Sequence, residues 1–483
     1  MSQTRDDQQD AYPRTVVDER GDTFELDEKP LGKGGQGVVF RSRNAPDIAV
    51  KFCSHGQSSS KAARTHLRRQ IEEVRLLPLD NINLASPIEL LRGDTTIGYT
   101  MRLLQDMVPI GNLIAGSNVE NLVEFFLQGG GLRRRLRLLE KAAAMLARLH
   151  ATPLVYGDIS AQNIFISRSN EASEVWFIDS DNLSYFSESS RGIYTPSFGA
   201  PEVIAGRSGI NTLTDIYSFA TLAFWILLQS HPFLGEAVEF GGWDETGTIF
   251  DMEDQAMAGE LPFIDDPDDA SNLGIHGFSP QPELVLSHSL RELFRKMFTQ
   301  GRLDPLARPG AAQFAEAFRV AADMTVSCPH CSSTYYVTAR SCSWCGEEKS
   351  RPDVIFIEAR RWDPRLDDQE WTDLYASTPV YSRVVEAGEP SPLGSHLVAA
   401  LPGRYDNSAE LLLQITDNGV TLRRLSEREF WLVSNHTSDP LRLVGEKHLP
   451  LPLGDKRWHL HCGPLDKPHR LLSFQFFPGD AHS

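Results

Sequence analysis

A chain of 483 residues is longer than one hydrophobic core supports and predicts about two to four domains. Hydrophobic residues at 41% and charged residues at 23% are those of a globular protein, not a disordered or fibrous one. A net charge of −18 argues against nucleic-acid binding, which needs a basic face.

Residues 1–20 read as a disordered lead-in without the apolar run of a signal peptide. Ile216–Leu228 is apolar but too short to span a bilayer, so a buried helix, no membrane segment and a cytoplasmic location are expected. From Thr23 a strand leads into LGKGGQGVVF, where Gly32, Gly34 and Gly37 precede the β-formers Val38, Val39 and Phe40. Glycines let backbone N–H groups approach phosphate oxygens. Because a strand follows, and not the helix of a dinucleotide-binding fold, the pattern favours a flap over ATP phosphates; a plain glycine-rich turn is the alternative. In IAVKF, Lys51 sits among apolar residues, placed to hold phosphates while paired with a carboxylate. The helix His66–Leu77 offers Glu72 or Glu73, with Glu73 preferred because Leu76 and Leu77 would pack one turn below it. Ile88–Leu91 and Ile97–Leu104 read as a hairpin ending in an irregular connection. The basic run LRRRLRLLEK (Leu132–Lys141) has leucines at helical spacing and reads as a solvated helix face.

Next comes VYGDISAQN, with Asp158 five residues before Asn163, and then FIDSD, with Asp179 after a hydrophobic strand. Two carboxylates and a carboxamide on loops at strand ends suit a site that holds magnesium and orients a hydroxyl against a phosphate.

At this point the chain resembles the protein kinase superfamily over residues 21–322, with an N-lobe at 21–104 and a C-lobe at 105–322. The glycine flap, Lys51 in IAVK, Asp158 and Asn163 in YGDISAQN, GAPE (Gly199–Glu202), TDIYSFA with Asp215, HPF (His231–Phe233) and DPLARP with Arg308 carry the resemblance in the family's order. It implies ATP with Mg²⁺ or Mn²⁺. Asp158 would accept the substrate hydroxyl's proton, Asn163 and Asp179 would hold the metal, and Lys51 with Glu73 would set the phosphates. The hinge at Met101 and Leu103 would line the adenine pocket, and Arg308 would pair with Glu202. Tyr156 and Gly157 replace the His and Arg of HRD, Ser160 replaces a lysine, and Asp179-Ser180-Asp181 replaces DFG. These departures resemble a divergent bacterial kinase group. The hydroxyl-rich segment Ser184–Ser197 reads as an autophosphorylated loop or a polar lid, and Gly241–Asn272 as a solvated acidic loop.

CPHC (Cys328–Cys331) and CSWC (Cys342–Cys345) are spaced as a structural zinc ribbon over 323–350, whose four thiolates Cys328, Cys331, Cys342 and Cys345 complete a tetrahedron. A redox dithiol is the alternative. Cys53 and Cys462 read as ordinary buried thiols. Residues 353–483 become β-rich, with a hairpin turn at Asp417-Asn418-Gly419, and suggest a sandwich. The stretch EFWLVSNHTSDPLRLVGEKHLPLPLGDKRWHLH resembles the second half of a forkhead-associated domain, although Pro402-Gly403-Arg404 matches its phosphate loop poorly.

The expected fold class is α+β: a bilobal kinase fold, then a small zinc ribbon and an all-β sandwich. The expected activity is autophosphorylating Ser/Thr protein kinase, with a protein substrate, C-terminal modules that recruit partners, and, by resemblance, an associated metal-dependent phosphatase. The alternatives are a small-molecule kinase of the aminoglycoside phosphotransferase type, towards which Gly157-Asp158 leans, and a nucleotide-binding pseudokinase scaffold.

Overall fold

The computed structural model describes residues 12–35, 37–53, 60–77, 79, 82–93, 97–116, 118–152, 154–180, 183–185, 194–241, 252–274, 280–348, 352–365, 380–399, 408–416, 419–434, 437–451 and 458–479. The N-terminal lobe starts with β1 (Thr15–Val17) paired to β2 (Thr23–Glu25). The expected disordered lead-in is therefore structured from Tyr12, whose ring lies 5.4 Å from Phe40 and 5.1 Å from Phe52; residues 1–11 lie outside the described residues. Strands β3 (Gly32–Gly34), β4 (Gly37–Arg41), β5 (Ile48–Cys53), β6 (Pro87–Leu90) and β7 (Gly98–Arg102) form an antiparallel sheet in the order β3-β4-β5-β7-β6. Helix α1 (Lys61–Arg75) crosses between β5 and β6, its first turn capped by the Ser60 hydroxyl.

The second lobe is mainly helical. It contains β8 (Met107–Pro109), α2 (Leu122–Gln128), α3 (Gly131–Ala151), β9 (Leu154–Val155), β10 (Ile164–Ser167), β11 (Val175–Phe177), β12 (Ser184–Tyr185) and helices α4 (Pro201–Ile204) and α5 (Thr212–Leu228). Helices α6 (Glu236–Phe240), α7 (Met252–Met257), α8 (Pro282–Val285), α9 (His288–Phe298), α10 (Gln300–Leu303) and α11 (Ala311–Asp323) follow. The apolar run expected as a buried helix is α5: Asn211 and Thr214 form a capping box at its start, and the helix is buried almost all round. Leucines and phenylalanines of α3, α5, α9 and α11 build the largest core. The acidic stretch expected as a loop carries α7, and residues 242–251 lie outside the described residues.

A short hairpin, β13 (Thr325–Ser327) with β14 (Thr334–Tyr336), and the segment after it carry the four clustered cysteines. An all-β region closes the chain: β15 (Val354–Trp362), β16 (Tyr381–Glu386), β17 (Ser391–Gly394), β18 (Ala409–Thr416), β19 (Gly419–Arg424), β20 (Trp431–Ser434), β21 (Thr437–Arg442), β22 (Glu446–Leu449), β23 (Trp458–His461) and β24 (His469–Phe477). They make a six-stranded sheet, β16-β15-β24-β23-β20-β21, and a four-stranded one, β17-β18-β19-β22, around a shared core that includes Ile355, Ile357, Leu411, Leu413, Leu460 and Leu472. Asp417, Asn418 and Pro402-Gly403-Arg404 lie outside the described residues.

The basic run in α3 is not the solvated face that its leucine spacing suggests. Arg135 is fully buried, with Nη1 donating to Phe126 O and Gly131 O, and Arg134 donates to Ser167 O and Gly129 O. Burial without a carboxylate partner pushes the Arg135 guanidinium down to about 9. Arg137 pairs with Asp323 at the end of α11, and Tyr381 of β16 donates its hydroxyl to the same carboxylate at 2.7 Å. Arg137 also bonds Glu140 at 3.0 Å, and Arg319 bonds Glu140 at 2.9 Å. Arg134 is compensated by carbonyls and Arg137 by carboxylates, whereas Arg135 satisfies Nη1 alone and leaves Nε and Nη2 without a hydrogen-bond partner.

Candidate active site and cysteine cluster

The loop after β9 is fixed from beneath. Asp215, in the first turn of α5 and nearly fully buried, accepts the backbone N–H of Tyr156 at 2.7 Å and of Gly157 at 2.9 Å, and contacts His150 Nε2 at 3.2 Å. Gly157 has φ +86°, a left-handed conformation that an arginine would adopt only under strain, so glycine belongs at this position. The Tyr156 hydroxyl donates to the carbonyls of Asn163 and Ile178, and its ring packs 5.1 Å from Phe177. One buried side chain thus ties the residue before Asp179 to Asn163.

Above this support, Asn163 Nδ2 donates to Asp158 O and to Asp158 Oδ2, both at 2.9 Å, which turns its carbonyl oxygen away from Asp158. Asp158 Oδ1 accepts the hydroxyl of Thr195 at 2.6 Å. Asp179 has φ +55°, a conformation that aspartate tolerates better than most residues, and accepts Lys51 Nζ at 3.0 Å on Oδ1. Lys51 is 2% exposed, so its charge requires such a partner. Ser180, fully buried where a DFG kinase has Phe, donates to Ala85 O at 3.3 Å and fastens the loop to the segment before β6.

Gly32, Gly34 and Gly37 lie on the hairpin β3–β4, with Gly34 opposite Gly37. A Cβ on Gly37 would meet Phe52 O at 2.2 Å, whereas Gly32 and Gly34 are exposed with open space around them. Met101 and Leu103 stand at the end of β7 on the same sheet as Lys51, and Leu103 N bonds Asp47 O at 2.8 Å.

The expected pairing of Glu73 with Lys51 is not found. Glu73 is 54% exposed and bonds Arg69 at 2.8 Å, and Glu72 lies 3.7 Å from Arg68. The face of α1 turned to the sheet is Leu67, Ile71 and Val74, so its polar member is Gln70. Thr195, which meets Asp158, is one of eight hydroxyl residues in its segment that the sequence does not rank; residues 186–193 of that segment lie outside the described residues. The proximity of GAPE is the signal available for it. The segment after Thr195 is held by His231, whose Nε2–H donates to Ser197 O at 2.9 Å while Nδ1 accepts Phe233 N. Burial lowers this imidazole to about 4, so it remains neutral.

Glu202 of α4 and Arg308 form a buried bidentate pair at 2.7 and 2.8 Å. With this platform in place, the sequence pattern of the protein kinase domain matches residues 26–317. The chain belongs to the protein kinase family. It is similar to serine/threonine-protein kinase pkn2 of Myxococcus xanthus, at 23% identity over 43% of this chain and 24% of that protein. It is likewise similar to calcium-dependent protein kinase 3 of Plasmodium yoelii yoelii (26% identity, 45% of this chain and 38% of the relative). A third relative is serine/threonine-protein kinase PkaA of Streptomyces coelicolor (24% identity, 43% and 39%). The chain thus spans well under half the length of each. No helix among the described residues is long and apolar enough to cross a membrane.

The second candidate site is the cysteine cluster. The sulfurs of Cys328, Cys331, Cys342 and Cys345 lie within 4.8 Å of one another. Cys328 and Cys345 are 3.8 Å apart, and Cys331 and Cys342 are 3.7 Å apart. A tetrahedral four-sulfur zinc site with bonds of ~2.3 Å has sulfur–sulfur edges of about 3.8 Å. The donor set therefore fits a structural zinc. Cys53 and Cys462 are buried and lie apart from it.

Proposed function

We propose that this chain is a protein kinase that transfers the γ-phosphate of ATP to serine or threonine hydroxyls of a protein, with itself among the substrates. The observation that carries the reading is the Asp158 carboxylate, held on Oδ2 by Asn163 and on Oδ1 by a threonine hydroxyl. That is the hydrogen bond a substrate hydroxyl needs in order to lose its proton. Asn163 through its carbonyl oxygen and Asp179 through its carboxylate are hard oxygen donors suited to Mg²⁺ or Mn²⁺, which would neutralise phosphate charge. Lys51 orients the α- and β-phosphates, the glycine hairpin covers them, and Met101 and Leu103 line the adenine pocket. Lys51 pairs with Asp179 and not with Glu73, which bonds Arg69 on its own helix. The four-cysteine ribbon holds one zinc, and the reduced thiols it requires suit a cytoplasmic location. The all-β region is a sandwich that contacts partners, with phosphothreonine recognition of forkhead-associated type as one form of this.

The Glu202–Arg308 platform speaks for a protein substrate over a small molecule. Incubating the full chain with γ-labelled ATP and Mg²⁺ tests the function: acid-stable label on serine or threonine is expected, and nucleotide binding without transfer would establish the pseudokinase reading instead. Thr195→Val is expected to lower kcat about 10- to 100-fold, because a hydrogen bond to a carboxylate contributes ~1.5–3 kcal/mol, while Thr195→Ser keeps most of the rate. Equal rates for all three proteins would remove Thr195 from the site. Metal analysis of the purified protein is expected to return about one zinc per chain; a metal-free protein would overturn the ribbon assignment.

A further inference from the structure

The cysteine ribbon is wedged between the catalytic lobe and the sandwich. On the catalytic side, Trp344, between Cys342 and Cys345, stacks on Phe126 of α2 with centroids 4.9 Å apart, and the guanidinium of Arg135 lies 3.8 Å over the other partner of that stack. Trp344 Nε1 donates to Thr334 O at 2.8 Å, and the Thr334 hydroxyl accepts Arg133 N at 3.0 Å. Helix α3 has Gly130 at its N-cap, with no side chain to cap it, so the ribbon supplies the cap from 201 residues downstream. Tyr336 enters the catalytic core and donates to Val285 O at 3.0 Å.

On the other side, Val326, Cys328, Tyr335 and Cys342 form one apolar cluster with Val354 and Val384 of the sandwich. Arg133 crosses the whole wedge: its guanidinium donates to Thr325 Oγ1 at 2.7 Å, to Thr325 O at 2.6 Å and to Glu386 of β16, and Glu386 also accepts Ser327 N at 2.8 Å. Among its described residues the ribbon has two three-residue strands, and two of its core side chains are cysteines of the cluster. So small a unit takes its folding energy from the metal.

We propose that the ribbon is an intramolecular latch: with zinc bound it holds the sandwich on the catalytic lobe and caps α3, and with zinc removed both contacts are released. It rests on the zinc assignment above. The released end of α3 is the start of the helix whose last turn carries His150, the contact of Asp215 beneath the catalytic loop.

The test uses the full chain, with zinc content, radius of gyration from small-angle scattering and amide exchange measured together. Chelation of the native protein is expected to enlarge the radius and to speed exchange about fivefold or more in the first turn of α3, as befits loss of a cap, and across 325–346. Trp344→Ala and Thr334→Val keep all four cysteines. Both are expected to retain zinc while the first turn of α3 loses protection, Trp344→Ala with the larger radius. A chelated protein that keeps its radius and protection, or zinc-loaded variants indistinguishable from native in both, would overturn the latch. A native protein that carries no zinc fails the metal assignment instead, and the variants then decide the docking contacts alone.

Discussion

Asp179→Asn is expected to reduce phosphoryl transfer by on the order of 10²–10³-fold or more, the loss typical when a preorganised charge is removed from a transition state. The carboxylate is the meeting point of Lys51 Nζ, 3.0 Å away, and of the cation that Asn163 would share. Asparagine keeps the shape and the left-handed backbone at φ +55° but lacks the charge. The fold should therefore survive, and melting of the variant checks that it does. The assay is the initial rate of label transfer from γ-labelled ATP at saturating Mg²⁺, with nucleotide binding followed separately. A variant that transfers at the native rate would remove Asp179 from the site. A native protein that binds nucleotide but shows no transfer would leave Asp179 as a binding group in a scaffold.

The geometry of the candidate site was legible in sequence where it is local. Asp158 and Asn163 lie in one loop, and the hydrogen bond between them at 2.9 Å follows from their spacing. Lys51 stands out as the one charge within an apolar strand, and Asp179 as the first carboxylate after another. Glu73 failed on helical phase. Its choice rested on Leu76 and Leu77 packing below it, yet Leu76 is 79% exposed at the end of the helix, while Ile71 and Val74 mark the true inward stripe. A shift of one residue turns a helical side chain by about 100°, enough to send the carboxylate to Arg69. The arginines of α3 failed for a different reason. Arg133 and Arg137 have partners, Thr325, Glu386 and Asp323, that lie 186 to 253 residues away, and no local pattern encodes such partners. What is solvated in an isolated amphipathic helix is here the seam between three modules.

Arg308→Ala is expected to cost about 3–5 kcal/mol of stability, as does removal of one partner from a buried ion pair. The Arg308 side chain is fully buried. Besides both oxygens of Glu202 it donates to Gly301 O at 2.7 Å and Leu213 O at 2.9 Å, and it lies 4.7 Å over the ring of Tyr217. Alanine would leave the Glu202 carboxylate buried opposite a void. Arg308→Lys should recover little, since an ammonium cannot make the two parallel bonds of the guanidinium. Glu202→Gln combined with Arg308→Met should lose less than Arg308→Ala alone, because no unpaired charge then remains buried. Denaturant unfolding of the full chain reads the order of the three, and a loss below about 1 kcal/mol for Arg308→Ala, the scale of an exposed pair, would contradict the burial argument. The consequence for catalysis follows from position. Glu202 begins the helix that ends the segment from Thr195, and Thr195 holds the Asp158 carboxylate at 2.6 Å. A variant destabilised at Arg308 but still folded should therefore lose kcat as Thr195→Val does, with the apparent KM for ATP unchanged, since Lys51 and the glycine hairpin belong to the other lobe.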